Sequence, residues 1–152
     1  MAVTVTGLDE LKGMAGSDLG HTGWLEISQD RVDAFADATN DHQWIHVDRE
    51  RAAAGPFGGT IAHGFLTLSL IIPLFGELLT VRGVSMEINY GLNKVRFPAP
   101  VPVGSKIRLA GTLGAVEDAG VNAVQVVVDF TMEIEGGGKP ACVAQGVYRY
   151  YA

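Results

Sequence analysis

The chain has 152 residues, of which 47% are apolar and 18% charged, enough for one domain over residues 1–152 and too apolar for a disordered chain. A net charge of −6 argues against a nucleic-acid backbone as partner, because that affinity comes mainly from Lys and Arg displacing counterions. Cys142 is the single cysteine, which excludes an internal disulfide framework and fits a reducing compartment, so a cytoplasmic location is expected. Residues 1–6 show no basic segment ahead of an apolar one, so no secretory leader is expected.

In chain order, residues 8–16 make a weak amphipathic patch of about one helical turn, and residues 24–27 read as a short strand. Ser28 can cap a helix whose first turn holds Asp30 and whose Val32, Phe35 and Ala36 recur at helical spacing, predicting a helix over 29–39. Asp48 can cap a second short helix over 49–54, which the Gly55-Pro56-Phe57-Gly58-Gly59 loop stops. Gly58-Gly59 permits backbone conformations closed to other residues, so this loop can pass close to a ligand.

Residues 64–79 are apolar on nearly every side, which predicts a central helix in the interior. The run is interrupted by Thr67, Ser69, Pro73 and Glu77 and falls short of the about 20 apolar residues a membrane span needs, so none is expected. Pro73 inside a helix removes one hydrogen bond and clashes with the preceding turn at roughly 3 kcal/mol, so a kink or break is expected just before it.

The second half alternates. Val84, Met86, Ile88 and Tyr90 form one set; Ile107, Leu109 and Leu113 another; Val124, Val126, Val128, Phe130, Met132 and Ile134 a third; Val143, Val147 and Tyr151 a last one. Turn signals at 97–104, 117–120 and 135–138 separate them. Strands joined by short turns predict an antiparallel sheet with one buried face, and with the helix this is an α+β domain whose sheet wraps one long central helix.

The chemistry gathers between Phe35 and Leu70, where three of the four histidines lie: His42, His46 and His63. Asp41 and His46 are five apart, and a carboxylate with an imidazole of pKa about 6.5 can share the activation of one water. An exposed Asp capping a turn and a His packed in the core have the same spacing. His42 and His46 are four apart, as in a helical zinc site, but Gln43 stands where the protease form needs Glu, and no metal is expected. Gly64 opens the apolar helix, so its N–H belongs to a first turn and is free either for an oxyanion or simply for close packing. Cys142 sits in a strand and reads as core. Lys94, Arg96, Lys106 and Arg108 cluster in one segment, either a positive patch or a solvated strand face.

Taken together and in order, Asp41-His42-Gln43-Trp44-Ile45-His46, the helix that follows, Ile61-Ala62-His63-Gly64, and the run from Leu92 to Val101 with Gly104 beyond it resemble the MaoC-like (R)-specific enoyl-CoA hydratases, the hydratase 2 family. Gln43 and Trp44 stand where that pattern has Asn and Pro, and Asn40 where Gly is common.

The resemblance implies a hot-dog fold, homodimeric or pseudo-dimeric, with an acyl tunnel near the interface. It implies reversible syn addition of water to a trans-2-enoyl thioester, with no metal or redox cofactor. Asp41 and His46 would hold the water, with the formal base left open, and the Gly64 N–H would stabilise the thioester enolate. Gln43, Trp44, Phe57, His63 and Phe65 would contact substrate, with Lys94 and Arg96 for the anionic end of CoA or an acyl carrier. A hot-dog thioesterase and a non-catalytic acyl-binding module are the alternatives on the same scaffold.

Overall fold

The computed structural model describes residues 2–152. The elements run β1 (Val3–Thr6), α1 (Gly7–Lys12), β2 (Asp18–His21), β3 (Leu25–Glu26), α2 (Gln29–Thr39), α3 (Trp44–Val47) and α4 (Arg49–Ala53). They continue with α5 (Gly64–Ser69), α6 (Ile71–Leu78), β4 (Leu79–Arg82), β5 (Met86–Arg96), β6 (Lys106–Asp118), β7 (Ala123–Ile134) and β8 (Cys142–Tyr151). The main sheet has the order β2-β6-β7-β8-β5, with β3 also on β6, and all its pairings are antiparallel. Its buried face packs on α5 and α6, the hot-dog arrangement. A small parallel pair, β1 with β4, was not foreseen.

The caps follow the sequence. Ser28 Oγ accepts from the Arg31 N–H at 3.2 Å, and Asp48 Oδ1 from the Arg51 N–H at 3.0 Å. The one-turn helix α3 was not expected, and neither was β2.

The central helix is two segments rather than one. The break lies at Leu70, three residues ahead of Pro73. A proline ring collides with the carbonyl four residues earlier, here that of Ser69, where α5 stops. Pro73 then falls in the first turn of α6, where its missing N–H would have had no helical acceptor. Leu79 is no longer helical and opens β4.

Two strand readings need correction. In β8 the inward face is Cys142, Ala144, Gly146, Tyr148 and Tyr150; of the expected set Val147 is buried, while Val143 and Tyr151 on the same face stay half-buried. The apolar residues there mark the outer side of a twisted strand. In β5 no face is buried: Met86, Ile88, Tyr90 and Leu92 are all exposed, Tyr90 at 57%. β5 is an edge strand, paired only with β8. Cys142 is core, as expected, and burial pushes its thiol up to about 11.

Phe75 of α6 meets the sheet through Phe130 (centroids 5.1 Å apart) and Tyr148 (5.2 Å). Gly146 gives these rings their room: a Cβ there would lie 2.9 Å from a Tyr148 ring carbon and 3.0 Å from a Phe130 ring carbon. Gly146→Ala is therefore expected to destabilise the fold by about 1–3 kcal/mol, through overpacking, seen as a lower urea midpoint at unchanged m.

Candidate active site

Asn40, in the left-handed conformation at φ 58°, ends α2 and turns the chain away from the helix axis. The next residue, Asp41, is held by its N–H on the Ala36 carbonyl (3.1 Å) while its carboxylate stays about half exposed (52%). α3 begins three residues later and carries His46 on its buried side. The strip through Ile61 runs beside it, with the Ile61 N–H on the Ile45 carbonyl at 3.0 Å. His63 and Gly64 then start α5.

The His46 ring is fixed by its Nδ1–H, which donates to the Ile61 carbonyl at 2.6 Å. A carbonyl only accepts, so Nδ1 carries the proton and Nε2 of the neutral ring is a bare acceptor. His63 Nε2–H donates to the Asp41 backbone carbonyl at 3.0 Å, and the Asp41 carboxylate lies 4.0 Å from the same nitrogen. The two imidazoles stack with centroids 3.9 Å apart, and Phe35 closes on His63 from the side at 4.8 Å. Burial lowers the His46 pKa below 6.5 and the adjoining His63 adds to the shift, while the Ile61 carbonyl and Asp41 act against it.

A cavity of about 330 Å³ opens at this point, lined by His46, Gly64, Phe57, Thr67, Phe97 and Val101 among others. Phe97 packs so closely that a Cβ on Gly64 would sit 3.3 Å from its ring, a tight approach that a larger residue at the mouth of α5 would relieve only by displacing the ring. The Gly64 N–H belongs to a first turn and has no helical acceptor.

A carboxylate oxygen of Asp41 and one ring nitrogen each of His46 and His63 lie within 4.8 Å of one another. A water making two hydrogen bonds of ~2.8 Å can reach any two groups that lie within 4.8 Å of one another, as these do. The trio is thus spaced for a bridging water.

His46, Gly64 and Phe57 line the cavity, and Asp41 and His63 gather at His46 beside it; the other residues singled out in the sequence lie elsewhere. His63 stands behind His46 rather than in the cavity lining. Trp44 is turned to the Arg51 guanidinium (4.4 Å) and to Gly55, where a Cβ would be 3.0 Å from the ring. Gln43 is exposed at the N-cap position of α3 and makes no side-chain cap. Phe65 is 69% exposed and meets Phe97 edge-on at 6.3 Å, outside the lining. Lys94 and Arg96 are exposed on β5, Arg96 donating to the Val95 carbonyl at 2.7 Å. Phe57 borders both the cavity and a neighbouring crevice of about 470 Å³ that includes Arg49.

Sequence reasoning missed the Ile61 carbonyl, which has no side-chain signature, and the wall formed by Phe97, Ala99 and Val101. The wall had a signal: apolar residues set among prolines in a stretch read only as a turn.

Residues 11–133 match the model of the MaoC like domain. The chain belongs to the MaoC-like domain family. A relative from Mycobacterium tuberculosis (strain ATCC 25618 / H37Rv), named 3-hydroxyacyl-thioester dehydratase Z, is 57% identical over 98% of this chain and 99% of that protein. Among solved structures, the (R)-hydratase from A. caviae involved in PHA biosynthesis is 25% identical with a TM-score of 0.71, covering 88% of this chain and 94% of the other. A monoamine oxidase regulatory protein from Archaeoglobus fulgius shares the fold at TM-score 0.81 and 21% identity, over 99% and 97% of the two chains.

In this MaoC-like site the neutral form of His46 is the favoured one. Because its folded pKa lies below the unfolded value of about 6.5, the unfolded chain takes up the proton first as pH falls. The contribution of the neutral ring to stability is full above about pH 6.5 and is lost as pH falls through the folded value. We expect a His46 ring titration by NMR with a midpoint below 6.5, and a loss of stability between pH 7 and 5 that is smaller in His46→Gln.

Proposed function

We propose that this MaoC-like protein is an (R)-specific hydratase that adds water reversibly and syn to a trans-2-enoyl thioester, giving an (R)-3-hydroxyacyl thioester. The observation that carries the proposal is the convergence of the Asp41 carboxylate and the buried His46 ring beside an apolar cavity that reaches Gly64. The mycobacterial relative's name describes the reverse, dehydrating direction, and the A. caviae neighbour is an (R)-hydratase, so both support this class of reaction.

The chemistry follows from the tautomer. One water lies between the Asp41 carboxylate and His46 Nε2, the carboxylate accepting one of its hydrogens and orienting it. His46 Nε2 accepts the other hydrogen as the water oxygen bonds to C3. The electron pair of the double bond moves toward the thioester, whose oxygen becomes an enolate within reach of the Gly64 N–H; such a donor typically contributes about 3–4 kcal/mol to the barrier. His46 then returns its proton to C2 on the face it was taken from, which makes the addition syn. A ring whose charged form is disfavoured by burial gives up that proton readily. Neither a metal nor a redox cofactor enters these steps.

The cavity wall of Phe57, Phe97 and Val101 is the place for the acyl chain, and the carrier is CoA or an acyl-carrier protein. We assign the enzyme to the cytoplasm on its single, buried cysteine, which fits a reducing compartment.

The same reading makes the protein a homodimer joined along β5. An edge strand of 11 residues with Met86, Ile88, Tyr90 and Leu92 exposed is otherwise an aggregation liability. A second copy is the occupant that would cover it.

Incubation with a short enoyl-CoA separates the possibilities: loss of the conjugated double bond without thiol release is hydration, thiol release is thioesterase action, and binding without either is a carrier module. Asp41→Asn and His46→Gln are each expected to lower turnover by about 10²–10⁴-fold with the circular dichroism unchanged; full activity in both would overturn the assignment. Leu92→Lys with Tyr90→Lys is expected to halve the mass seen by sedimentation equilibrium.

A further inference from the structure

Gln29 opens α2, is 7% exposed, and uses its whole amide. Its Nε2 donates to the His46 backbone carbonyl at 2.8 Å and to Asp33 Oδ1 at 2.9 Å, and its Oε1 accepts from Thr60 Oγ1 at 2.6 Å. Two of these three contacts go to the segments that orient the His46 ring. One is the backbone of His46 itself. The other is Thr60, the residue before Ile61, whose carbonyl takes the His46 Nδ1–H. Thr60 is buried as well, at 8%, and the Val103 N–H on its carbonyl (2.9 Å) ties it to the segment two residues beyond Val101 of the cavity wall. A single rigid amide therefore spans both ends of the lever that aims Nε2.

We propose that Gln29 is a positioning residue for the hydration step, holding α3 and the 60–61 strip at the separation that keeps the His46 proton on Nδ1 and its Nε2 lone pair directed at the water. The inference rests on the hydratase reading of His46. Geometry decides for a positioning role over mere packing: a buried apolar side chain of the same length would fill the space but leave the His46 carbonyl and the Thr60 hydroxyl without these partners. The charged and titratable groups around this lever are Asp33 at Gln29, Glu26 and Arg49 in the crevice that Gln29 and Thr60 border, and Asp41 and His63 at His46.

The test uses the full-length protein, Gln29→Met, which keeps length and volume, and Thr60→Val, which removes only the hydroxyl. A short enoyl-CoA is the substrate probe, and ¹⁵N NMR of the histidine rings reports the His46 tautomer. Gln29→Met is expected to lower kcat by about 10–100-fold, the scale of a displaced catalytic group, with KM within about twofold. The His46 signals should change from a single Nδ1–H tautomer to a mixture, and the acid limb of the kcat profile should move with them. Thr60→Val should move the same readouts the same way by less.

A folded Gln29→Met with wild-type kcat and tautomer overturns the proposal. So does a fall in kcat with the tautomer and acid limb unmoved, because the effect then runs through general stability. If Gln29→Met does not fold, Thr60→Val decides by the same criteria. If the wild-type protein does not hydrate the probe, the hydratase reading falls, while the tautomer shift still decides whether Gln29 sets the His46 ring.

Discussion

A hydrogen bond from the His46 ring to the Ile61 carbonyl joins the two stretches of chain that make this site. On one side is a single turn of helix that has little stability of its own. On the other is the irregular strip that leads into α5. Donation through Nδ1 ties them together, sets the tautomer and leaves the opposite nitrogen as an acceptor next to the cavity. The stacked His63 adds a second tie, because its own ring reaches back to the Asp41 carbonyl. Acid, imidazole and helix mouth thus come from three separate segments and hold one geometry.

The scaffold beneath serves that geometry through packing. α6 is pinned by the contact of Phe75 with Phe130 and Tyr148, and this fixes where α5, one residue upstream, presents Gly64. Pro73 contributes by ending one segment and starting the next, so the apolar run divides at Leu70 while its backbone remains paired at Leu70 and Leu74. The close approach of Phe97 to Gly64 completes the mouth and explains a glycine at that position without appeal to backbone freedom.

Much of this was legible as pattern. Helix α2 spans the residues expected for it: Ser28 caps its start as its position predicts, and the structure shows Asn40 ending it in the left-handed conformation. The alternation in β6 and β7 gave the buried faces correctly, since both strands are central and have one side on the core. The same logic failed at the ends of the sheet. In β8 apolar residues lie on both faces and the inward side mixes small residues, Cys142, Ala144 and Gly146, with Tyr148 and Tyr150, so hydrophobicity alone does not pick the parity. In β5 the alternation is genuine but its apolar residues stay exposed, with only partial cover such as Arg149 over the Tyr90 ring at 3.7 Å, and a pattern does not say what will cover the rest.

By itself the sequence determined the α+β character, the apolar central helix and the spacing of Asp41, His46 and Gly64, because these depend on residues a few positions apart. Only the tertiary structure decided that the His46 proton sits on Nδ1, that His63 backs the ring instead of lining the cavity, and that Trp44, Phe65, Lys94 and Arg96 stand outside it. Those outcomes depend on backbone carbonyls and on the packing of segments distant in sequence, such as Asp41 against His63 and Gly64 against Phe97. A carbonyl is the same group in every residue, so its place in space is written in the fold and not in the identity of the amino acid that carries it.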